Sequence, residues 1–498
     1  MAQAEPARFT FGPLDRSGVI LGLRLAQLSV LVAGWALGLA VLLVSRGTII
    51  GLAGVVVLAA GTLWATFGHV HGRGVDEWVP VVVRWLLAPR AWRASSPQRG
   101  HLVAGASVVD EQPILPPMLA AVRILSAPVQ GGGRLGVVHD AVAGTYTGII
   151  RVRGSSYTLL SDPEKAAHLA VWGGALASMA HHGSPVDAVQ VVVRTVVEDP
   201  DGIARHLDAQ RRLPPDSAIF RSYLRLVDGA APVTQAQEVL VGLAVSRRRG
   251  ARAIAAAGGG DAGATVVLTR LLAQLMTHLE RAHVEVEGAL TPRLVAQALR
   301  EAWDPQSSHP LRRRSAADVR REGVAIANCG PQSLRTSWRH LMTDAGAVHV
   351  TYWISEWPRV DVGPNVLVPL LLQTSARLTF SVTMRPVEPG RAQRDLEAAQ
   401  TAHLSDETLR ERHGFRTPVR THRQADAVER REREFADGHA EYRFSGYLTV
   451  TADSTDELEA ACTDVEQQAR TCRLDVRRLD GEHDLAFTFT LPLCRGVR

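Results

Sequence analysis

A single lysine is the first residue to test for phosphate chemistry. Lys165 is the only lysine in the chain, and it lies in residues 161–166 (SDPEKA) with no glycine nearby. A Walker A loop, GxxxxGK[ST], places its lysine after a glycine-rich turn so that the ammonium reaches the terminal phosphates. The sequence therefore contains no Walker A loop, and this excludes the commonest class of nucleotide-driven motor.

Two glycine-rich stretches match the spacing GxGxxG. Gly131–Gly136 leads into a strand-like sequence, so no helix N-terminus comes after it to bind a pyrophosphate. Gly258–Gly263 opens a helix, but residues 253–257 before it do not form the apolar strand of a dinucleotide fold. Neither stretch predicts a dinucleotide site.

Histidine and cysteine offer no better candidates for catalysis. His181, His182, His278 and His283 lack carboxylates or thiols at metal-ligand spacing. The four cysteines form no CxxC pair and are typical of a protein in a reducing compartment; they are Cys329, Cys462, Cys472 and Cys494. We therefore predict no catalytic, cofactor-binding or metal-binding residue, and expect a protein that is not an enzyme.

Two apolar runs near the N-terminus organise the rest of the chain. Leu25–Val44 and Ile49–Phe67 each have the length of about 20 residues that crosses a bilayer, and neither contains a charge. The short link 45–48 predicts a helical hairpin that returns to its starting side. The alternatives are a pair of buried helices in a soluble core and a cleaved signal peptide, but the first run is too long for a signal.

Glycine and arginine add detail to this hairpin. Small residues allow two membrane helices to approach closely, and Gly34, Gly38, Gly51 and Gly54 are the candidates for this packing.

Arginines are frequent on both sides of the hairpin, whereas the link holds one. We expect the hairpin to lie in the inner (plasma) membrane. The positive-inside rule then predicts that both termini of the protein are cytoplasmic. Residues 1–24 become a cytoplasmic arm.

A juxtamembrane region is predicted at 68–112. Val75–Leu87 has the spacing of an amphipathic helix on the membrane surface, with Trp78 and Trp85 as interfacial anchors and Val82 and Leu86 on the same face. A core helix of the following domain would have the same pattern. Residues 88–112, which contain several prolines and serines, are typical of a linker.

Beyond residue 112 the pattern is α+β. Alternating strands and periodic helices without strict βα alternation predict mixed or antiparallel sheets with helices on one face. We expect a first cytosolic unit at 113–310, a basic junction at 311–329 and a second unit at 330–498. The net charge of +5 and the pI of about 9.3 suit an anionic membrane surface and are too small to indicate nucleic acid.

The C-terminal sequence LDGEHDLAFTFTLPL gives the only resemblance to a known family. It resembles the end of the non-motor region of TraC-type conjugation and type IV secretion ATPases, typically L-x-G-E-Q-x-x-A-F-x-x-T-L-P. The matching residues are Leu479, Gly481, Glu482, Ala486, Phe487, Thr490, Leu491 and Pro492. His483 departs from the family's glutamine. Together with a PrgI-like hairpin, the order of parts is most similar to actinobacterial proteins whose motor is a separate subunit.

This resemblance implies a non-enzymatic assembly subunit of a type IV-like secretion or conjugation apparatus. Its expected partners are a separate RecA-like ATPase, other channel subunits, the lipid bilayer and further copies of itself, with nucleic acid only an indirect partner. Two alternatives stay open: an EccE-like structural component of a type VII secretion system, and a membrane-tethered enzyme with an unrecognised site.

Overall fold

The computed structural model describes residues 25–45, 48–70, 73–94, 113–129, 132–153, 160–196, 217–230, 236–308, 322–394, 396–398 and 439–497, with single positions 214, 311 and 433. The cytoplasmic arm, Arg46 of the hairpin link, most of the linker and most of the basic junction lie outside these residues.

The described helices are α1 (Leu25–Val44), α2 (Ile49–Phe67), α3 (Val75–Leu87), α4 (Asp162–Met179), α5 (Ala218–Ala230), α6 (Ala251–Ala256), α7 (Gly260–Arg281), α8 (Pro292–Trp303), α9 (Val368–Leu372), α10 (Thr455–Thr471) and α11 (His483–Phe487). The strands are β1 (His69–Val70), β2 (Arg73–Gly74), β3 (Ala91–Arg93), β4 (Val122–Pro128), β5 (Arg134–Asp140), β6 (Thr145–Arg153), β7 (Val186–Val196), β8 (Ala236–Ser246), β9 (Glu285–Ala289), β10 (Ser333–Thr336), β11 (Leu341–Thr343), β12 (Val348–Glu356), β13 (Arg377–Pro386), β14 (Tyr442–Ala452) and β15 (Asp475–Arg478).

The predicted hairpin is confirmed as two apolar helices with the predicted limits. Thr48 caps α2 by accepting a hydrogen bond from the Gly51 amide (3.3 Å), and Gln27 of α1 donates to the Thr66 carbonyl of α2 (3.1 Å). Few of the described positions in either helix are buried, and large apolar side chains such as Trp35 and Trp64 are exposed. Their length and composition are compatible with membrane spans.

Strands β3 to β15 form one antiparallel sheet of 13 strands. The path runs β3-β10-β11-β12-β14-β13-β7-β8-β6-β5-β4, with β15 beside β12 and β9 beside β6. The α+β class and the antiparallel pairing are confirmed. The expected separation into two sheets is not seen, because β7 and β13 pair directly, with Val191 opposite Val382 at the centre.

The two halves of this sheet repeat one connectivity around the β7–β13 pair. Reading outward, β7-β8-β6-β5-β4 corresponds to β13-β14-β12-β11-β10. Each half contains the β-α-β-β-α-β order known as ferredoxin-like, ending in β9 or in β15. His283 and Arg473, which precede these last strands, both have φ of 57°. The halves are therefore related by an approximate two-fold axis between β7 and β13, which sequence analysis did not detect.

Two apolar layers cover the two faces of the sheet. On one face α4 and α7 pack on the first half, while α9 and α10 pack on the second half. On the other face lie α8 and the C-terminal segment, with Trp303, Phe487 and Leu491 in the core. The expectation of helices on one face is therefore wrong for α8. A Cβ on Gly136 would meet α8 at Pro292, which shows how closely this helix approaches β5.

The region predicted as a linker is also corrected where it is described. Ala91–Arg93 forms β3, which extends the edge of the sheet by pairing antiparallel with β10; Trp92 lies opposite Leu334. Because Trp92 packs against the core on the α8 face, the juxtamembrane region is bound to the sheet by both hydrogen bonds and apolar contact.

Candidate functional site

The site with the most specific geometry is the junction between the hairpin, α3 and the C-terminal segment. The chain leaves α2 at Gly68, forms the short β1–β2 ladder and enters α3 at Val75, whose amide donates to the Gly68 carbonyl (3.2 Å). This bond holds the start of α3 against the end of α2. The first turn of α3 contains Asp76 and Glu77, which the helix dipole favours there.

Three tryptophans attach α3 to the second half of the sheet. Trp338, in the turn between β10 and β11, stacks on Trp78 (ring centroids 5.9 Å apart) and meets Trp85 edge-on (5.1 Å). Val81, on the same side of α3, is buried. Such aromatic pairs stabilise by about 0.5–1.5 kcal/mol beyond the area they bury. The predicted anchors Trp78 and Trp85 therefore contact protein, and both are half-buried.

Ion pairs surround this aromatic contact. Arg73 Nη2 lies 2.8 Å from Glu482 Oε2, and its guanidinium also sits over the Trp78 ring, 5.1 Å from the centroid. The Arg73 side chain is only 3% exposed. A guanidinium buried to that degree is costly unless a carboxylate neutralises it, so Glu482 is required wherever Arg73 is buried.

Two further pairs connect the same elements. Arg84 of α3 binds Asp484 (2.7 Å), and Arg477 of β15 lies 3.3 Å from Glu77 of α3. Each side of this contact contributes both signs of charge: β2 and α3 supply Arg73, Arg84 and Glu77, and the C-terminal part supplies their partners. We name Arg73, Glu77, Arg84, Arg477, Glu482 and Asp484, with Trp78, Trp85 and Trp338, the α3 clamp.

The backbone conformation and the close contacts at position 481 require glycine. Its φ is +76°, a region that side chains disfavour, and a Cβ would lie 2.8 Å from the Trp338 ring and 3.1 Å from Val81. Gly481 thus allows the turn after β15 to approach α3, and its amide donates to the Trp338 carbonyl (2.8 Å).

The residue that departs from the family pattern, His483, is fully buried behind the clamp. The Thr351 amide donates to His483 Nδ1 (3.3 Å), and Nε2 lies 3.5 Å from Asp480. Burial lowers the pKa of His483, although Asp480 opposes this effect. His483 is therefore a neutral structural acceptor between β12 and α11.

The other residues of the C-terminal resemblance point into the core. Leu479, Ala486, Phe487, Thr490, Leu491 and Pro492 are all buried. Phe487 contacts Trp303 of α8, with ring centroids 4.3 Å apart, and the Leu479 amide donates to the Thr351 carbonyl (3.0 Å). These six residues have structural roles, whereas Glu482 belongs to the clamp and Gly481 lies against its Trp338 ring.

The chain beyond α11 crosses the sheet over its buried polar side chains. Gln190 of β7 donates to the carbonyls of Phe489 (3.1 Å) and Leu491 (3.0 Å), and its own carbonyl accepts from the Cys494 amide (2.7 Å). Arg495 then binds Asp140 at the end of β5. One segment therefore links the α3 clamp to both halves of the sheet.

The predicted glycines of the hairpin differ in their contacts. A Cβ on Gly34 would overlap Thr62 of α2, and one on Gly51 would overlap Ser45, so these two positions need the small residue. Gly38 and Gly54 face Val55 and Val41 at 3.9 and 3.8 Å, which is ordinary contact.

The groups first tested for chemistry lie elsewhere. Lys165 is buried on α4, 4.0 Å from Asp162. All four cysteines are buried, and burial raises the pKa of Cys329 to about 12, which keeps its thiol protonated. Within the described part of the chain, no group of three or more histidine, cysteine or acidic side chains could hold a metal ion.

A buried charge cluster in the first half is the other concentration of ionisable groups. Arg194 of β7 binds Glu238 (2.5 Å) and Glu301 (2.6 Å), and donates to the Ala298 carbonyl of α8 (2.7 Å). Burial lowers the pKa of Arg194, but the two carboxylates outweigh it and the net pKa is raised. Because Ala298 and Glu301 belong to α8 and Arg194 belongs to β7, the cluster fastens α8 to the sheet.

Sequence analysis missed Trp338, Arg73 and Asp484, and it selected Glu482 only through the resemblance. One signal was available: Glu482 and Asp484 flank a buried histidine in a segment otherwise apolar, and such acids need cationic partners. Nothing local identified those partners, because Arg73 and Glu482 are far apart in the chain.

No protein-family model matches the sequence, and no curated protein matches it.

Proposed function

We propose that this protein is a non-enzymatic assembly subunit of a type IV-like secretion or conjugation apparatus in the inner membrane. The hairpin anchors it with both termini in the cytoplasm, and the 13-stranded sheet lies in the cytosol. There it docks a separate RecA-like ATPase, other channel subunits and further copies of itself, while nucleic acid is contacted only indirectly.

The observation that supports this proposal best is the α3 clamp. Membrane attachment alone needs only a flexible tether, yet here three ion pairs and three packed indoles hold the sheet against the helix after the hairpin. A subunit that fixes a motor relative to a channel needs such a rigid connection. Gly481 and Glu482, which belong to the resemblance to conjugation ATPases, are the residues that close the clamp.

In this proposal the buried groups have structural roles. The described thiols are buried, and the charge clusters at Arg194 and at Arg73 are occupied by internal partners.

The first test is affinity capture of the tagged full-length protein in detergent, with partners identified by mass spectrometry. Recovery of a RecA-like conjugation ATPase together with channel subunits is expected. The variant Glu482→Arg serves as the matched control, because it leaves the hairpin unchanged and places a second positive charge beside Arg73. It should still bind the membrane but no longer recover the ATPase. Recovery of a type VII ATPase set would contradict the proposal and favour the EccE-like alternative.

Nucleotide turnover tests the remaining alternative, a membrane-tethered enzyme. The purified full-length protein should not hydrolyse ATP. Hydrolysis that persists in Lys165→Ala would overturn the non-enzymatic assignment and point to an active site.

Topology is tested separately by cysteine labelling in intact cells, which is practical because the native cysteines are buried. A cysteine at Ser45 or Thr48 should react with an impermeant reagent from outside. Reaction only after the cytoplasm is opened would refute the orientation.

A further inference from the structure

Helix α3 has apolar side chains on two sides, and only one side packs against the sheet. Trp78, Val81 and Trp85 face the clamp. The other side is exposed and contains five large apolar side chains at helical spacing: Val79, Val82, Val83, Leu86 and Leu87, with 38–81% of each side chain exposed. We name these five residues the outer row of α3.

The outer row differs from the face that sequence analysis assigned to the membrane. That face combined Trp78 and Trp85 with Val82 and Leu86; in the structure the two tryptophans contact Trp338, whereas Val82 and Leu86 are exposed. Because α3 is apolar on both sides, its pattern alone cannot tell which side meets the cytosolic sheet.

The outer row continues the exposed apolar surface of the hairpin. Most of the large apolar side chains that the structure leaves exposed belong to α1, α2 and α3. Helix α3 starts where α2 ends, held by the bond from Val75 to Gly68, and it packs against both hairpin helices. If α2 leaves the hydrocarbon region at Phe67, the outer row therefore begins at the level of the lipid headgroups.

The charges around α3 also suit a lipid surface. Of the two acids in its first turn, Glu77 is paired with Arg477 and Asp76 is half-buried. At the other end the exposed charged residues are all cationic: Arg84 is one-third exposed, and Arg90 and Arg93 are exposed. Arg90 lies over the Trp85 ring, 4.1 Å from its centroid, just beyond the C-terminal end of α3.

We propose that α3 is a lipid-binding helix that lies in the bilayer interface, with its outer row among the acyl chains and Arg90 and Arg93 on the phosphates of anionic phospholipids. Interfacial helices of this kind bury their apolar face about 5–10 Å into the headgroup boundary. This inference rests on the proposed insertion of the hairpin. It assigns α3 the role of a layer between the bilayer and the second half of the sheet.

The consequence is a fixed orientation for the cytosolic sheet. The clamp attaches α3 to the turns around Trp338 and Gly481, which belong to the second half. With lipid on one side of α3 and these turns on the other, the second half must lie next to the membrane. The first half then projects away from the membrane towards the cytosol.

The test uses spin labels on the full-length protein in lipid nanodiscs without any partner protein. Single cysteines are placed at Val83 and Leu86 in the outer row, at Leu63 in α2, and at Val360, an exposed apolar residue of the sheet domain, as the matched control. Collision with oxygen reports lipid, and collision with a water-soluble nickel chelate reports solvent.

We expect the ratio of oxygen to nickel collisions at Val83 and Leu86 to exceed that at Val360 several-fold, as at Leu63. If only Leu63 is in lipid, the interfacial position of α3 is wrong while the membrane anchor stands. If Leu63 is also in solvent, both the inference and the proposed anchor fail. A solvent-exposed outer row without partners would indicate a protein surface there.

The role of the arginines is tested with the label at Leu86. Nanodiscs of phosphatidylcholine alone are compared with nanodiscs that also contain phosphatidylglycerol. The anionic lipid should raise the oxygen-to-nickel ratio, and the double variant Arg90→Gln/Arg93→Gln should abolish that difference. Arg153→Gln, at an exposed arginine of the first half, should not change it. An unchanged lipid response in the double variant would overturn the headgroup assignment.

Discussion

The two halves of the sheet share strand order and connectivity, yet they differ in the helix that comes after their last strand. After β9 the first half continues into α8, a twelve-residue helix that is mostly buried. After β15 the second half continues into α11, only five residues long, whose N-cap residue Glu482 and first-turn residue Asp484 belong to the α3 clamp. The helix after the last strand is thus a core element in one half and the contact with α3 in the other.

The buried polar groups differ in the same way. The first half buries a charged cluster around Arg194, whereas the second half buries two histidines, His349 and His483. Burial lowers the pKa of His349 to about 4, and a hydrogen bond to the Trp303 carbonyl opposes this only partly. We therefore expect the first half to depend more on buried ion pairs and the second half to be more sensitive to acid.

The largest expected effect is the loss of Arg194 in the first half. Arg194→Met should lower the free energy of unfolding by about 3–5 kcal/mol, because Glu238 and Glu301 would stay buried with fewer partners. Thermal unfolding of the full-length protein measures it. The control Arg153→Met removes an exposed pair with Glu287 and should cost at most about 1 kcal/mol. Equal losses would show that the cluster does not fasten α8.

The second-largest expected effect is the loss of folding stability in acid that comes from the second half. An unfolded histidine takes up a proton near pH 6.5, whereas folded His349 does so only near pH 4. Stability should therefore be constant above pH 6.5 and fall between pH 6.5 and 4, by at most about 3 kcal/mol from this group.

The measurement is the unfolding midpoint against pH for the wild type and for His349→Gln. The variant should show a shallower fall over that window, whatever its stability at neutral pH. His182→Gln, at an exposed site in the first half, should keep the wild-type slope. If all three slopes agree, the two halves do not differ in acid sensitivity.

The close approach at Gly481 predicts an intermediate effect confined to the clamp. Gly481→Ala should cost about 2 kcal/mol, from backbone strain and from overlap with Trp338. Gly346→Ala has a similar φ of +86° but open space around its Cβ, so it should lose only the strain contribution of about 1 kcal/mol. Identical midpoints would mean that Trp338 moves aside without cost.

The smallest effect concerns the coupling between Arg73 and Glu482. A double-mutant cycle with alanine should give an interaction free energy of about 1–2 kcal/mol, because the pair is nearly buried. The same cycle on Arg84 and Asp484, where the arginine is one-third exposed, should give about 0.5 kcal/mol. Thermal unfolding measures both. A larger value for the exposed pair would contradict this ranking.

Local pattern was enough to predict much of the framework. The hairpin limits, the α+β class, the antiparallel pairing and most strands can be predicted from hydrophobic periodicity and from proline in the first turn of a helix, as in α4 and α8. The single sheet could not, because whether β7 pairs with β13 depends on two edges that are far apart in sequence. The repeated connectivity was missed because no sequence repeat accompanies it.

The same division holds for the candidate site. Sequence analysis selected Gly481 and Glu482 by resemblance and Trp78 and Trp85 by type, but gave the tryptophans a membrane contact. Their partners Trp338 and Arg477 come from other parts of the chain. The choice between the two apolar faces of α3 depends on which surface packs against it, and no local pattern contains that information.

By itself the sequence determined two uncharged apolar helices, the absence of a Walker lysine and the strands and helices of an α+β protein, since these depend on composition and short-range spacing. Tertiary structure decided the rest. It joined the two halves through β7 and β13, turned Trp78 and Trp85 towards Trp338, and paired Arg73 with Glu482. The physical reason is that buried charge and aromatic stacking are set by distance in space, which separation along the chain does not specify.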